Sequence, residues 1–143
     1  MDVLTLVQRA DSAGYDTLAK RLLAAADEPV CVTIISFEEQ MRGWLAWITQ
    51  ARTLERQQVG YLRLHGLLKD FQTRPVLDFD ERAITHFRSL AKLKPRPGTM
   101  DTKIAAIVLA HNALLISRNG THFRQVPGLR VEVWTREEAE LES

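Results

Sequence analysis

Two short apolar runs, the β-branched Val30 to Ile35 and Leu114 to Ile116, each end at a serine. Runs of this length with no polar face predict strands buried on both sides of a sheet. Elsewhere the apolar positions recur every three or four residues, the spacing of a helix with one buried face. Phe37, Met41, Trp44, Leu45 and Ile48 have that spacing after the first run. Tyr61, Leu64, Leu67 and Leu68 mark the buried face of a second long helix from Leu54 to Phe71. Ser36 with Glu39 three residues on matches a capping box at the first of these helices. Pro75 to Leu77 predicts a short strand, and Asp78 or Asp80 caps a helix running to about Leu93.

Pro95, Pro97 and Gly98 interrupt the chain before a mostly apolar helix, which carries Asp101 in its first turn and closes at His111 and Asn112. Asn tolerates the left-handed conformation just past a helix end. Val126 to Trp134 reads as a turn and a last strand. At the other end, Asp2 to Arg9 reads as a short helix, and Tyr15 to Ala26 as a longer one stopped by Glu28-Pro29. Strands alternating with helices predict an α/β domain with a largely parallel sheet. Residues 1–135 form one domain and 136–143 an acidic tail.

Composition narrows the class. The chain has 143 residues, 45% hydrophobic and 26% charged, which is ordinary for one globular domain with a real core. A single cysteine, Cys31, excludes a disulfide framework or a multi-cysteine zinc site and fits a reducing cytoplasm. No apolar run approaches a membrane span. The net charge of +1 does not mark a nucleic-acid binder. The local distribution is more informative: Arg82 to Lys103 holds six basic residues against one acid, Asp101. Such a patch beside a carboxylate suits a polyanion held by its phosphates, although solvated surface charge accounts for it equally.

In parallel sheets, ligands bind at the carboxyl ends of strands. Glu39 follows one predicted strand, Asp101 opens a helix and Asn119 follows another strand, so all three can reach one such edge. Carboxylate and amide oxygens gathered there suit Mg²⁺ or Mn²⁺. Each also has a structural reading: Glu39 as a capping-box partner, Asp101 as a helix-start charge, Asn119 as a turn residue. His65, His86 and His111 have no clustered partners, and His122 reads as a loop histidine. No glycine-rich phosphate loop follows any strand, which removes support for an unrelated nucleotide-binding domain.

Thr33 to Gly43 (T-I-I-S-F-E-E-Q-M-R-G), Asp101 to Ala106 (D-T-K-I-A-A), Leu114 to Phe123 and Val126 to Trp134, in that order, resemble the PIN-domain ribonucleases of the VapC toxin type. The resemblance covers the chain from Asp2 to Trp134. It singles out Glu39 over Glu38, because the family's glutamate precedes a glycine by four positions. It implies a PIN-like three-layer domain and hydrolysis of RNA phosphodiester bonds with Mg²⁺ or Mn²⁺ as cofactor. Glu39, Asp101 and Asn119 would be catalytic, with Glu39, Asp101 and Asp2 as metal ligands. Lys94, Arg96, Lys103 and Arg118 would hold RNA. A cognate antitoxin and a second copy of the chain are the implied protein partners, with no membrane.

The family begins with a strand ending in L-D-T-[DN], whose first aspartate is its central ligand. Asp2 to Arg9 resembles the helix after that strand, so the first central strand is expected to be missing. Its neighbours would then leave backbone groups unpaired at about 1–3 kcal/mol each. Two explanations follow: a start codon further upstream, or a decayed toxin. The competing function is accordingly a catalytically inactive remnant that binds antitoxin or RNA.

Overall fold

A computed structural model describes residues 4–7, 30–93, 98–117 and 123–133. Its core is a parallel sheet of five strands: β1 (Leu4–Val7), β2 (Val30–Thr33), β3 (Val76–Leu77), β4 (Leu114–Ser117) and β5 (Arg130–Val133). They lie in the order β3-β2-β1-β4-β5. Four helices accompany them: α1 (Ile34–Gln50), α2 (Leu54–Gln72), α3 (Glu81–Leu90) and α4 (Thr99–Ala110). A 3-10 turn, Phe123–Gln125, precedes β5. The α/β class with a parallel sheet is as expected.

The central strand is present, which corrects the expectation that it is missing. Leu4-Thr5-Leu6-Val7 pairs with β2 on one side (Leu4↔Val30, Leu6↔Val32) and with β4 on the other (Leu4↔Leu114, Val7↔Ser117). The physical reason is a non-local demand that overrides a local preference. Four residues gain little from forming an isolated helical turn, because helix nucleation is unfavourable. Inserted between β2 and β4, the same four satisfy backbone donors and acceptors on both neighbours. The helix expected over Tyr15 to Ala26 lies outside the described residues.

Val32 and Ile116, both in register with Leu6 of the strand between them, fall on one face of the sheet; Leu115 falls on the other. Val32 packs with Leu67 and Phe71 of α2 and with Phe37, Met41 and Trp44 of α1. Leu115 packs with Ala83 and Leu90 of α3 and with Ile104, Ala105 and Val108 of α4. Helices therefore cover both faces. α4 is buried almost all round, its small residues Ala105 and Ala106 letting the sheet and α3 approach together.

The ends of the helices are specified locally. α4 closes in a Schellman motif: the Ala113 N–H donates to Val108 O (3.0 Å) and the Asn112 N–H to Leu109 O (3.1 Å). Asn112 takes φ 49°, as the sequence predicts. Asp80, not Asp78, caps α3 by accepting from the Ala83 N–H at 3.0 Å. α1 starts two residues before the expected cap. Its N-cap is Thr33, and Ser36 sits inside the first turn, donating its N–H to Thr33 Oγ1 at 3.1 Å.

The α1–α2 pairing also departs from the sequence reading. Tyr61, Leu68 and Leu45 were expected in the core, yet they are exposed. The inner face of α2 is instead Gly60, Leu64, Leu67 and Phe71. Gly60 sits against Ile48 and Trp47, where a side chain would not fit. The close approach at this glycine turns α2 and directs Tyr61 outward.

Candidate functional site

The order of the strands reverses at β1, with β2 and β3 stepping away on one side and β4 and β5 on the other. Such a reversal opens a crevice at the carboxyl ends of the strands beside it. Two helices border that edge. α1 leaves it directly from β2, and α4 starts at it, since α4 must run back along the sheet to begin β4 at the opposite edge.

Glu39 lies one and a half turns into α1 and is half-buried. With Thr33 as the cap, Glu39 is not part of a capping box, so that structural account of it is removed. It follows Ile35 by four residues and shares its helical face. Ile35 is buried in one apolar cluster with Ile104, Ala105 and Val108 of α4, and α1 and α4 are in contact. Glu39 thus stands on the side of α1 turned toward α4. Asp101 occupies the first turn of α4 and is only 3% exposed. The first backbone N–H groups of a helix lack intrahelical partners and favour a negative charge. Gly98, the N-cap, supplies no side-chain cap.

Both carboxylates therefore belong to the same edge, on two helices that touch. The starts of the same two helices also carry buried hydroxyls, Thr33, Ser36 and Thr102. Thr33 and Ser36 are hydrogen-bonded through their side chains at 3.0 Å, and Thr102 donates to Gly98 O at 2.9 Å. The sequence reading did not include these three residues in the site. A threonine ending an apolar run just before a helix was the available signal for Thr33, and Thr102 directly follows Asp101.

The other candidates divide clearly. Lys103 lies two residues after Asp101, about 200° round the helix, so it points to another side of α4. Its Nζ sits 5.9 Å from the centroid of Phe79, in the segment that follows β3 at this same edge. Asp2, Lys94, Arg96, Arg118, Asn119 and His122 lie outside the described residues. β1 contributes no carboxylate at any of its four positions. Among the described residues no three His, Cys, Asp or Glu side chains gather as a metal group, so the exposed Asp78 beyond β3 does not complete one.

Two carboxylates are a sufficient protein contribution for one chemistry. Mg²⁺ keeps several of its waters and is commonly carried by one or two carboxylates, with substrate phosphate completing the shell. A buried carboxylate also gains from a nearby cation, which offsets its loss of hydration. Glu39 and Asp101 are of the donor type that such an ion takes.

Residues 4–129 match the PIN domain family. The chain belongs to that family. Solved structures with the same fold include the DNA-bound VapBC of Salmonella typhimurium, at TM-score 0.67 and 19% identity over 94% of this chain and 99% of that one. VapBC2 of Rickettsia felis, bound to a DNA fragment from its promoter, has TM-score 0.65 and 21% identity over 92% and 98%. FitAcB of Neisseria gonorrhoeae has TM-score 0.64 and 21% identity over 90% and 95%. At these identities the likeness is one of fold. No curated protein matches the sequence. Among the described residues of this PIN domain, no helix is long and apolar enough to cross a membrane.

Proposed function

We propose that this PIN domain is the nuclease of a toxin–antitoxin pair, of the VapC type, and hydrolyses RNA phosphodiester bonds in the cytoplasm with Mg²⁺ or Mn²⁺. What carries the reading is the pair of carboxylates, Glu39 and Asp101, on two contacting helices at the carboxyl edge of the sheet. The likeness in fold to chains of VapBC complexes supports the toxin assignment and an antitoxin partner. The chain would act as a homodimer.

Glu39 and Asp101 would hold the ion, with Asp2 as a further ligand and Asn119 contributing an amide oxygen. When bound, a divalent ion supplies Lewis-acid stabilisation of charge at phosphorus and an acidified water. The protein's own part is to fix two carboxylates in a partly dry crevice. The N-terminus of α4 offers its first backbone N–H groups on the side of Asp101, and the buried Thr33–Ser36 pair holds the start of α1 in place. Lys103, with Lys94, Arg96 and Arg118, would meet the phosphates of the RNA, giving salt-dependent binding.

One observation favours a second reading. β1, the strand at the middle of the crevice, is Leu-Thr-Leu-Val and brings no acid. A site lacking a central carboxylate would bind RNA or antitoxin without cutting. Cleavage of a structured RNA by the purified chain in Mg²⁺ or Mn²⁺, beside Asp101→Asn, Glu39→Gln and chelator, separates the two. The nuclease reading expects cleavage by the wild type that each variant and the chelator reduce by at least roughly 100-fold. Wild-type cleavage equal to that of Asp101→Asn, or no cleavage while RNA or antitoxin still binds, overturns it.

A further inference from the structure

Helix α3 has two unlike sides. Arg82, Thr85, Arg88, Ser89 and Lys92 fall within an arc of about 120° around its axis, and all of them are exposed. Lys92 lies just past the helix, where its N–H donates to Ser89 O at 3.3 Å and carries the turn onward. Ala83 and Leu90, on the other side, are buried in the apolar cluster shared with α4. The acids of this region, Asp78, Asp80 and Glu81, gather at the helix start instead. Asp80 is engaged as the cap, and Glu81 lies in the first turn, where the helix dipole favours it.

Two features set the outer face of α3 apart from ordinary solvated charge. Among the described residues no ion pair neutralises Arg82, Arg88 or Lys92, whereas Arg42 of α1 is paired with Glu38 at 2.7 Å. Arg88 and Lys92 suit the end of the helix, but Arg82 stands in its first turn, where a positive charge is disfavoured. Helix stability therefore does not account for it. The second feature is continuity with the crevice. Phe79, three residues before Arg82, meets Phe87 edge-on at 6.0 Å between ring centroids. The same ring lies 5.9 Å from the Lys103 ammonium of α4. Positive charge thus runs from Lys103 to Arg82 and on to Arg88 and Lys92, over about 15 Å of helix.

We propose that the outer face of α3 is a phosphate track, on which a single RNA strand leaving the crevice lies with its backbone against Arg82, Arg88 and Lys92. This rests on the reading of RNA as the substrate. It adds to that reading a strand that extends several nucleotides past the point of cleavage. A polyanion in extended form matches a line of unpaired cations along one side of a helix. An acidic protein segment would need no connection to the crevice, whereas a strand held there for cutting must leave it along some surface.

Fluorescence anisotropy of labelled single-stranded RNA tests this, with chelator present so that the bound strand is not cut. Strands of about four and about twelve nucleotides are compared over a series of salt concentrations. The wild type is expected to bind the longer strand more tightly, and less so as salt rises. Arg82→Gln/Arg88→Gln/Lys92→Gln removes three phosphate contacts. The slope of log K against log salt should then fall by about 2 in magnitude, and the longer strand should bind roughly tenfold or more weakly, with little change for the short one. Arg52→Gln/Arg63→Gln/Lys69→Gln removes the same charge from exposed positions on and beside α2 and should leave the slope unchanged. Circular dichroism verifies that both variants fold. No binding by the wild type, a slope unaltered in the α3 variant, or an equal fall in the α2 variant overturns the track. Cleavage in Mg²⁺ or Mn²⁺ is scored separately: a chain with the expected slopes that cuts nothing keeps the track and loses the nuclease reading.

Discussion

Gly60 and Gly66 stand on the same helix, and replacing each by alanine is expected to move stability in opposite directions. Alanine is the better helix former by about 0.8–1 kcal/mol in either position. Gly66 is exposed and a Cβ there meets nothing within 4 Å, so Gly66→Ala should gain close to that full amount. At Gly60 a Cβ would stand 2.4 Å from Ile48 Cγ1 and 2.9 Å from Trp47 Cδ1. Ile48 is β-branched, and Cγ1 is next to its own Cβ, so it moves only if the helix does. The Trp47 ring is held by its Nε1–H, which donates to Arg56 O at 3.1 Å, and by the Arg56 guanidinium 6.0 Å from its centroid.

Overpacking of this kind costs about 1–3 kcal/mol. Set against the helix-propensity gain, Gly60→Ala should lose up to about 2 kcal/mol while Gly66→Ala gains about 1. Equilibrium urea unfolding of the two variants and the wild type measures both. For a domain of this size each kcal/mol also shifts Tm by about 2–5 °C. If Gly60→Ala stabilises as much as Gly66→Ala, with an unchanged denaturant slope, then α1 and α2 do not approach at Gly60, and the outward direction of Tyr61 loses its explanation.

Three further outcomes follow from the structure. Thr33→Ala removes the α1 cap and leaves the buried Ser36 hydroxyl without its partner, so it should cost about 2 kcal/mol in urea unfolding, whereas Thr33→Ser should lose far less. Cys31 is buried, and desolvation pushes its thiol pKa up. It should react with a thiol reagent only through unfolding, and its contribution to stability, complete below the unfolded pKa of about 8.5, should decline as pH rises through that value toward the folded one. Asn112, at φ 49°, should accept glycine at little cost but lose about 1 kcal/mol or more as valine, measured by thermal unfolding.

How far the sequence showed this fold depends on where each decision is made. β4, α4 and its closing Asn112 are decided within a few residues: an apolar run, a helix of small and branched residues, and a side chain tolerant of positive φ. These elements stand as expected. Thr33 to Ser36 is a closer contest, because threonine and isoleucine favour strand and helix start almost equally. The hydroxyl of Thr33 decides it by capping three residues earlier than the capping-box pattern suggests. The face of α2 cannot be read locally at all. Tyr61 and Leu68 sit one position from Gly60 and Leu67, and an apolar periodicity this wide fits either face; only the contact at Gly60 with another helix selects one.

β1 is the extreme case, and it bears directly on the site. Leu4 to Val7 has no strong local preference, and its strand identity comes from β2 and β4, which both need a partner at the centre of the sheet. Backbone pairing is indifferent to side chains, so it can recruit a segment that meets the sheet's hydrogen-bonding need without supplying the crevice with an acid. Fold and chemistry are thereby uncoupled at the one strand that lies under the crevice. On the proposed reading Glu39 and Asp101 hold the ion whatever β1 carries, so divalent binding should survive substitution within β1 provided the strand stays paired. Calorimetric titration with Mn²⁺ of Thr5→Val, a strand-favouring change, against Asp101→Asn reads this directly. Loss of binding in Asp101→Asn with retention in Thr5→Val is expected, and equal loss in both would place the ion on the strand rather than on the two helices.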